Sequence, residues 1–451
     1  MTKKYFAIFS ILAAVCGCAG DIPYRHKGFS EMPECRQVYE QHTDDSEVKY
    51  AKKSMESVCW DRSCEERSSY DLLFVEFDDQ GWVQGTADRT GMAQDHLDAL
   101  FKRLNDLRVQ YKDRGLLLIV FVHGWHHNAD ANDGNVRNFR KYLRDTELLE
   151  GKDGRRVVGL YVGWRGESVT FPGLDMLTFW DRKNTAERVA QGSVREFFSK
   201  LDSFHDVAQD HGDTKGVRMM TIGHSFGGLV TFEALSSEFL RDAARYKPHE
   251  AEGKERPRHL ARFGDLVIIV NPAFEGVRYE PVKTAGLRLP PLEKNQLPLA
   301  IVATSTADWA TGKAFPAARF FNGLFESSPG EESKASRRTV GHNDRYTTHR
   351  LFLCTRDDAD CWNACAESDE VAHMASITRD GIQEKEYLCD GLRLTTTPEW
   401  APLGNPYWVV ETTGDLIGDH NDIFNPNFVS FIRQMYLATI TATEKKERKR
   451  E

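Results

Sequence analysis

The stretch Val217-Arg-Met-Met-Thr-Ile222-Gly223-His224-Ser225-Phe226-Gly227 decides how the rest of this 451-residue chain is read. Its first six residues form an apolar run of strand length, and beyond it Leu229, Phe232, Phe239 and Leu240 recur at helical spacing. Between strand and helix stands a G-x-S-x-G pattern. So tight a reversal is strained, and a side chain at either glycine would collide with neighbouring backbone, whereas the serine is pushed out at the tip. Ser225 is therefore a candidate reactive hydroxyl.

Working outward, the same alternation recurs. Leu72 to Phe77 reads as a strand, Asp78 to Gly81 as a turn and Trp82-Val-Gln84 as a second strand, so a hairpin is expected to open the domain. A helix follows with Leu97, Leu100, Phe101, Leu104 and Leu107 on one face, and Leu116 to Val122 is an apolar run suited to a central strand buried on both faces. Val157 to Val162, Leu266 to Val270, Leu299 to Ala303 and Tyr407 to Glu411 read as further strands. Helices are expected before Leu149, over Ala186 to Leu201, from Gly227 to about Arg245 and from Asn425-Pro426, where Phe428, Phe431, Ile432, Met435 and Tyr436 make the buried face. The implied fold class is α/β, one mostly parallel sheet with helices on both faces. Residues 309 to about 406 are too many for one crossover and are expected to form an insertion over or beside the sheet.

With the elbow set in that context, the chain from about Asp71 to Met435 resembles the α/β-hydrolase fold, in its serine esterase and lipase-like form. The resemblance implies the order serine, acid, histidine, each at the carboxyl end of a strand. Asp308 follows Leu299 to Ala303 and is the expected acid; Asp265 precedes its strand and lies at the wrong end. His420, between the last strand and the last helix, is the expected base. His342 is its rival, because Gly341-His-Asn-Asp repeats the His-Asn-Asp triplet, but no strand precedes it; His349 and His373 lie in the same insertion. Acyl transfer also needs donors for an oxyanion. The backbone NH of Phe226 is one, and Phe121-Val-His123-Gly124-Trp125 resembles the His-Gly segment of lipases and esterases, which makes the NH of Trp125 the other. His126, His127 and Asp130 could be taken for metal ligands, yet adjacent histidines on a loop point different ways, and no metal is expected. The aromatic stretch Phe171 to Trp180 suits a lid, an acyl-pocket wall or plain packing.

The N terminus reads as an address. Lys3 and Lys4 precede the apolar run Tyr5 to Val15, followed by Cys16-Gly17-Cys18, so residues 1–17 look like a secretory signal whose end resembles the lipobox of bacterial lipoproteins. Cys18 would then be lipidated, and Ala19 after it implies the outer membrane, facing the periplasm. Residues 18–68 are read as a tether and extension, 69–440 as the hydrolase domain and 441–451 as a charged tail. Seven cysteines remain beyond Cys18 (Cys35, Cys59, Cys64, Cys354, Cys361, Cys365 and Cys389); their spacings miss the usual zinc patterns, and in an oxidising compartment disulfides are expected.

Composition narrows the field further. With 40% hydrophobic and 28% charged residues the chain has material for a core, and a net charge of -9 gives no basic field for phosphates, so no nucleic-acid partner is expected. The functional expectation is an envelope-anchored serine hydrolase that cleaves small-molecule or lipid carboxylic esters without a cofactor. The alternatives are an amidase or acyltransferase using the same residues, and a non-catalytic envelope lipoprotein that keeps the fold as a scaffold.

Overall fold

The structure, a computed structural model, describes residues 23–25, 35–37, 53–59, 69–85, 93–151, 153–166, 175–210, 215–251, 254–256, 260, 263–290, 292–293, 296–322, 330–365, 369–397 and 405–447. The signal segment and Cys18 lie outside the described residues. The strands are β1 (Cys35–Gln37), β2 (Met55–Cys59), β3 (Ser69–Phe77), β4 (Leu116–Val122), β5 (Arg156–Trp164), β6 (Val217–His224), β7 (His249–Ala251), β8 (Lys254–Arg256), β9 (Leu266–Val270), β10 (Ala300–Ser305), β11 (His349–Leu353), β12 (Lys385–Leu388), β13 (Leu392–Thr396) and β14 (Tyr407–Thr412). The helices are α1 (Ala93–Gln110), α2 (Gly134–Glu150), α3 (Asp175–Gln191), α4 (Val194–Asp210), α5 (Phe226–Arg245), α6 (Glu280–Arg288), α7 (Phe315–Asn322), α8 (Gly330–Arg337), α9 (Ala359–Trp362), α10 (Glu370–Asp380) and α11 (Pro426–Glu447).

Among the described residues, twelve strands make one sheet in the order β1-β2-β3-β5-β4-β6-β9-β10-β14-β11-β13-β12, and β7 and β8 form a separate hairpin. From β3 to β11 every pairing is parallel. Strand β4 shows why its sequence is continuously apolar. Leu116, Leu118, Val120 and Val122 enter the core on one face, with residues of α1, α4 and α5, while Leu117, Ile119 and Phe121 enter the other, with residues of α2 and α11. The chain runs from β4 to β5 on one side and then to β6 on the other. The carboxyl ends of β4 and β6 therefore border a crevice where the strand order reverses, the usual place for a ligand in an open α/β sheet.

Three expectations are revised. The opening hairpin shrinks to a single bridge between Phe77 and Val83, and the antiparallel partner of β3 is β2 instead. Strand β2 was hidden in the sequence because Glu56 sits in its middle; that carboxylate is buried and ion-paired with Arg25 and Arg140, both at hydrogen-bond distance. The single helix expected over residues 186–201 is two, α3 and α4, broken at Gly192. Within the late segment, β11 pairs parallel with β14 and β13 and β12 follow antiparallel, so the segment extends the sheet sideways, and α10 packs on α11. Cys354 is bonded to Cys361 and Cys365 to Cys389 in this edge, and Cys59 is also disulfide-bonded. No helix among the described residues is long and apolar enough to cross a membrane.

Candidate active site

The turn between β6 and α5 puts Ser225 at φ 55° and ψ -119°, a left-handed conformation that a side-chain-bearing residue adopts only when its surroundings enforce it. Two close approaches enforce it here. A Cβ on Gly227 would lie 2.2 Å from the carbonyl oxygen of Val122, and one on Gly223 would lie 2.5 Å from Thr231 Oγ1, so the helix start packs onto β4 only with glycine at 227 and onto β6 only with glycine at 223. The Ser225 NH donates to the Val270 carbonyl at 3.0 Å, and its own carbonyl accepts from Ala273 NH at 3.2 Å, which ties the tip to the end of β9.

Ser225 Oγ lies 2.8 Å from His420 Nε2, and His420 Nδ1 lies 2.9 Å from Asp308 Oδ2. The three expected residues thus form one hydrogen-bonded chain, although they come from the loops after β6, β10 and β14. Asp308 is 1% exposed. Burial works against its ionisation, but the hydrogen bond and charge of His420, together with the Thr311 hydroxyl and NH, hold its carboxyl below the usual carboxylate range. Its Oδ1 accepts from the NH groups of Ala310 at 2.9 Å and Thr311 at 3.2 Å, and its Oδ2 accepts from the Thr311 hydroxyl. An ionised acid, an imidazole whose Nδ1 proton points at it, and a hydroxyl on Nε2 are the parts of a hydroxyl nucleophile with its proton-accepting base.

The His-Gly loop lies directly over the serine. A Cβ on Gly124 would be 2.8 Å from Ser225 Cβ, so only glycine lets this backbone approach. His123 does not face the serine. It is wholly buried, its Nε2 accepts from Trp164 NH at 3.0 Å, its Nδ1 bonds the Gly124 carbonyl at 2.9 Å, and burial pulls its pKa down to about 4. A neutral ring fixed at both nitrogens holds the loop in place. Trp125 follows, its ring 6.2 Å from that of Phe226; Phe179 of α3 lies 5.2 Å from Phe226 and 5.8 Å from Phe315, so the half-buried rings of Trp125 and Phe179 pack onto the core at the start of α5. Phe226 opens α5, where backbone NH groups have no intrahelical acceptor.

The rivals go elsewhere. Asp265 is buried against His205, 3.0 Å away. His127 bonds Asp133, and His126 stacks on Trp125 at 4.0 Å, so the two do not converge. His349 stacks on Trp408, and His373 bonds the Tyr387 carbonyl. His342 comes close but not to the serine: its Nε2 is 3.1 Å from Thr311 Oγ1.

Two buried residues were missed. His224 donates from Nε2 to the carbonyl oxygen of His420 at 2.8 Å, and burial, then the neighbouring His420, keep its ring neutral. Asn271, at φ 45°, donates from Nδ2 to the same carbonyl at 3.1 Å and accepts from Ser305 NH at 3.0 Å. Together they anchor the His420 loop to β6, β9 and β10. The one signal in the sequence was an asparagine directly after an apolar strand and before a proline.

A cavity of about 540 Å³ opens between α2 and α11, lined by Tyr142, Phe424, Arg433 and Tyr436 among others. Asn421 and Asp422, which follow His420, are among its lining residues, and Ser225, His420 and Asp308 are not.

No family model and no curated protein matches the chain. Among solved structures, phospholipase PlaB from Legionella pneumophila, in complex with thio-NAD, matches at a TM-score of 0.25 and 14% identity, over 54% of this chain and 47% of that one. The match spans about half the length of that protein.

Proposed function

We propose that the protein is a serine hydrolase of the α/β-hydrolase type that cleaves carboxylic esters through an acyl-enzyme. The observation that carries the proposal is the chain Ser225 Oγ, His420 Nε2, His420 Nδ1, Asp308 Oδ2, with bonds of 2.8 and 2.9 Å, at the carboxyl edge of a parallel sheet. His420 takes the hydroxyl proton as Ser225 Oγ attacks the ester carbonyl, and the carboxylate of Asp308 stabilises the imidazolium so formed. The NH groups of Phe226 and Trp125 receive the oxyanion. His420 then gives its proton to the leaving alcohol, and a water activated by the same imidazole releases the acid. The half-buried rings of Trp125 and Phe179, 5.5 Å apart beside the His-Gly loop, suit an ester with an apolar acyl group, lipid esters included.

Attachment of the mature chain to the outer membrane through lipidated Cys18 belongs to the same proposal; the disulfides Cys354–Cys361 and Cys365–Cys389 fit an oxidising compartment of that kind. The test is hydrolysis of a series of p-nitrophenyl esters of increasing acyl length, with Ser225→Ala as blank. Turnover by the wild type alone is expected. Equal rates above background from both proteins would overturn Ser225 as the nucleophile, and none from either across the series and its amide analogues would leave the scaffold reading.

A further inference from the structure

We propose that Thr311 and His342 are positioning residues that lock the carboxylate of Asp308 toward His420. The inference rests on the hydrolase reading above and extends it by two side chains. An ionised carboxylate can only accept, so the Thr311 hydroxyl, bonded to Asp308 Oδ2, must donate its single proton there. That leaves Thr311 Oγ1 as an acceptor toward His342 Nε2, 3.1 Å away, and requires His342 to carry its proton on Nε2. The result is one directed series, His342 NH to Thr311 OH to Asp308 and, from the other side, Ser225 OH to His420 to Asp308. No proton leaves Thr311 or His342; both keep theirs while the proton of Ser225 moves to His420.

The surroundings fit a fixed support. Thr311 is 1% exposed, and its carbonyl accepts from the buried Thr339 hydroxyl at 3.3 Å, in the segment that leads into His342. A Cβ on Gly312 would meet the His342 ring at 3.1 Å, so the turn after Asp308 and the turn at His342 touch with no side chain between them. Facing His342 are Asp308, His420, Glu411 of β14 and Arg338 just past α8; facing His420 are Asp308 and the His224 ring at 5.0 Å. Burial holds the His342 ring below its ordinary pKa, which favours the neutral ring, and the Thr311 oxygen at Nε2 selects the Nε2–H tautomer.

Without the threonine proton, Oδ2 keeps one donor instead of two. The carboxylate becomes more basic and also pulls harder on the imidazolium, and both effects move the acid limb of the rate profile to higher pH.

The experiment compares wild type with Thr311→Val, Thr311→Ser, His342→Leu and His342→Gln, measuring kcat, KM and the pH profile of ester hydrolysis, with Ser225→Ala as reference. Thr311→Val is expected to lower kcat roughly 10- to 100-fold, the range for a hydrogen bond to a charged group, with KM little changed and the acid limb raised. Thr311→Ser should restore both. His342→Leu should show a smaller loss with the same shift, and His342→Gln, which keeps an NH near Nε2, should recover; this pair decides the matter if Thr311→Val does not fold. Wild-type kcat and an unmoved acid limb in folded Thr311→Val and His342→Leu would overturn the proposal while leaving the hydrolase reading intact. If instead Ser225→Ala is as active as wild type, the hydrolase reading falls. The downfield NMR proton of His420 Nδ1, recorded without substrate, then decides: a shift in Thr311→Val that Thr311→Ser reverses supports the positioning, and an unchanged resonance overturns it.

Discussion

His420 and Asp308 stand 112 residues apart in the chain, yet Nδ1 of one lies 2.9 Å from Oδ2 of the other. Strands β10 and β14 are hydrogen-bonded neighbours in parallel register, Ser305 opposite Thr412, so the loops that leave them emerge side by side from one edge. The sheet turns a long separation in sequence into a contact.

His420→Ala is expected to abolish ester hydrolysis nearly as completely as Ser225→Ala, by roughly 10³-fold or more, because members of such a unit fail together. His342→Ala should lose far less, on the order of a few-fold, since it touches Thr311 and not the serine. Steady-state rates of the three variants side by side decide this; the reverse order of the two histidines would make His342 the base.

Asn271 separates strain from hydrogen bonding. Asn271→Gly tolerates the φ of 45° but drops the bonds to the His420 carbonyl and Ser305 NH, and should cost about 1–2 kcal/mol. Asn271→Ala loses the same bonds and adds left-handed strain, for a total of about 3 kcal/mol. Urea denaturation of both variants measures the difference. Equal stabilities would mean that the strain is not felt at this position.

Gly124→Ala should fold and lose activity. Its methyl group would press on Ser225 Cβ and on His224 Nδ1, 2.8 and 3.0 Å away, pushing the loop off the serine; a displacement near 1 Å costs on the order of 100-fold in rate. Activity within a few-fold of wild type, with an unchanged melting temperature, would contradict the close approach.

His349 gives a pH prediction. Burial pulls its pKa down to about 3, below its value in the unfolded chain, so unfolding takes up a proton between about pH 6.5 and 3 and stability falls as pH falls through that window. The buried carboxyls of Glu76 and Glu147, raised to about 7, act in the opposite sense over part of it, so the variant is compared with the wild type rather than read alone. Melting temperatures of His349→Gln should fall less steeply between pH 6.5 and 4 than those of wild type. Parallel curves would mean that His349 is protonated in the folded protein.

What was legible in the chain followed from local rules. Leu116 to Val122 and Leu266 to Val270 are apolar on both faces because helices cover both faces, and Gly223 and Gly227 mark a turn that only glycine can make. The illegible parts depend on approach between distant segments. Glu56 made β2 look like polar tether, and only Arg25 and Arg140, brought in from elsewhere, explain a carboxylate in a strand. His224 and Asn271 hold the His420 carbonyl, and Thr311 meets His342, through hydrogen bonds between distant segments, and no period or composition signals such bonds. His342 attracted notice for its triplet, but the contact that places it, with Thr311, is a tertiary one.

The most direct test of the account is where a fluorophosphonate bonds. Incubation of the folded protein with such a probe, followed by intact mass and peptide mapping, should show one adduct, on Ser225, absent from Ser225→Ala and strongly slowed in His420→Ala. Labelling that persists in Ser225→Ala, or no adduct on a protein that is folded, would contradict an activated serine at this elbow.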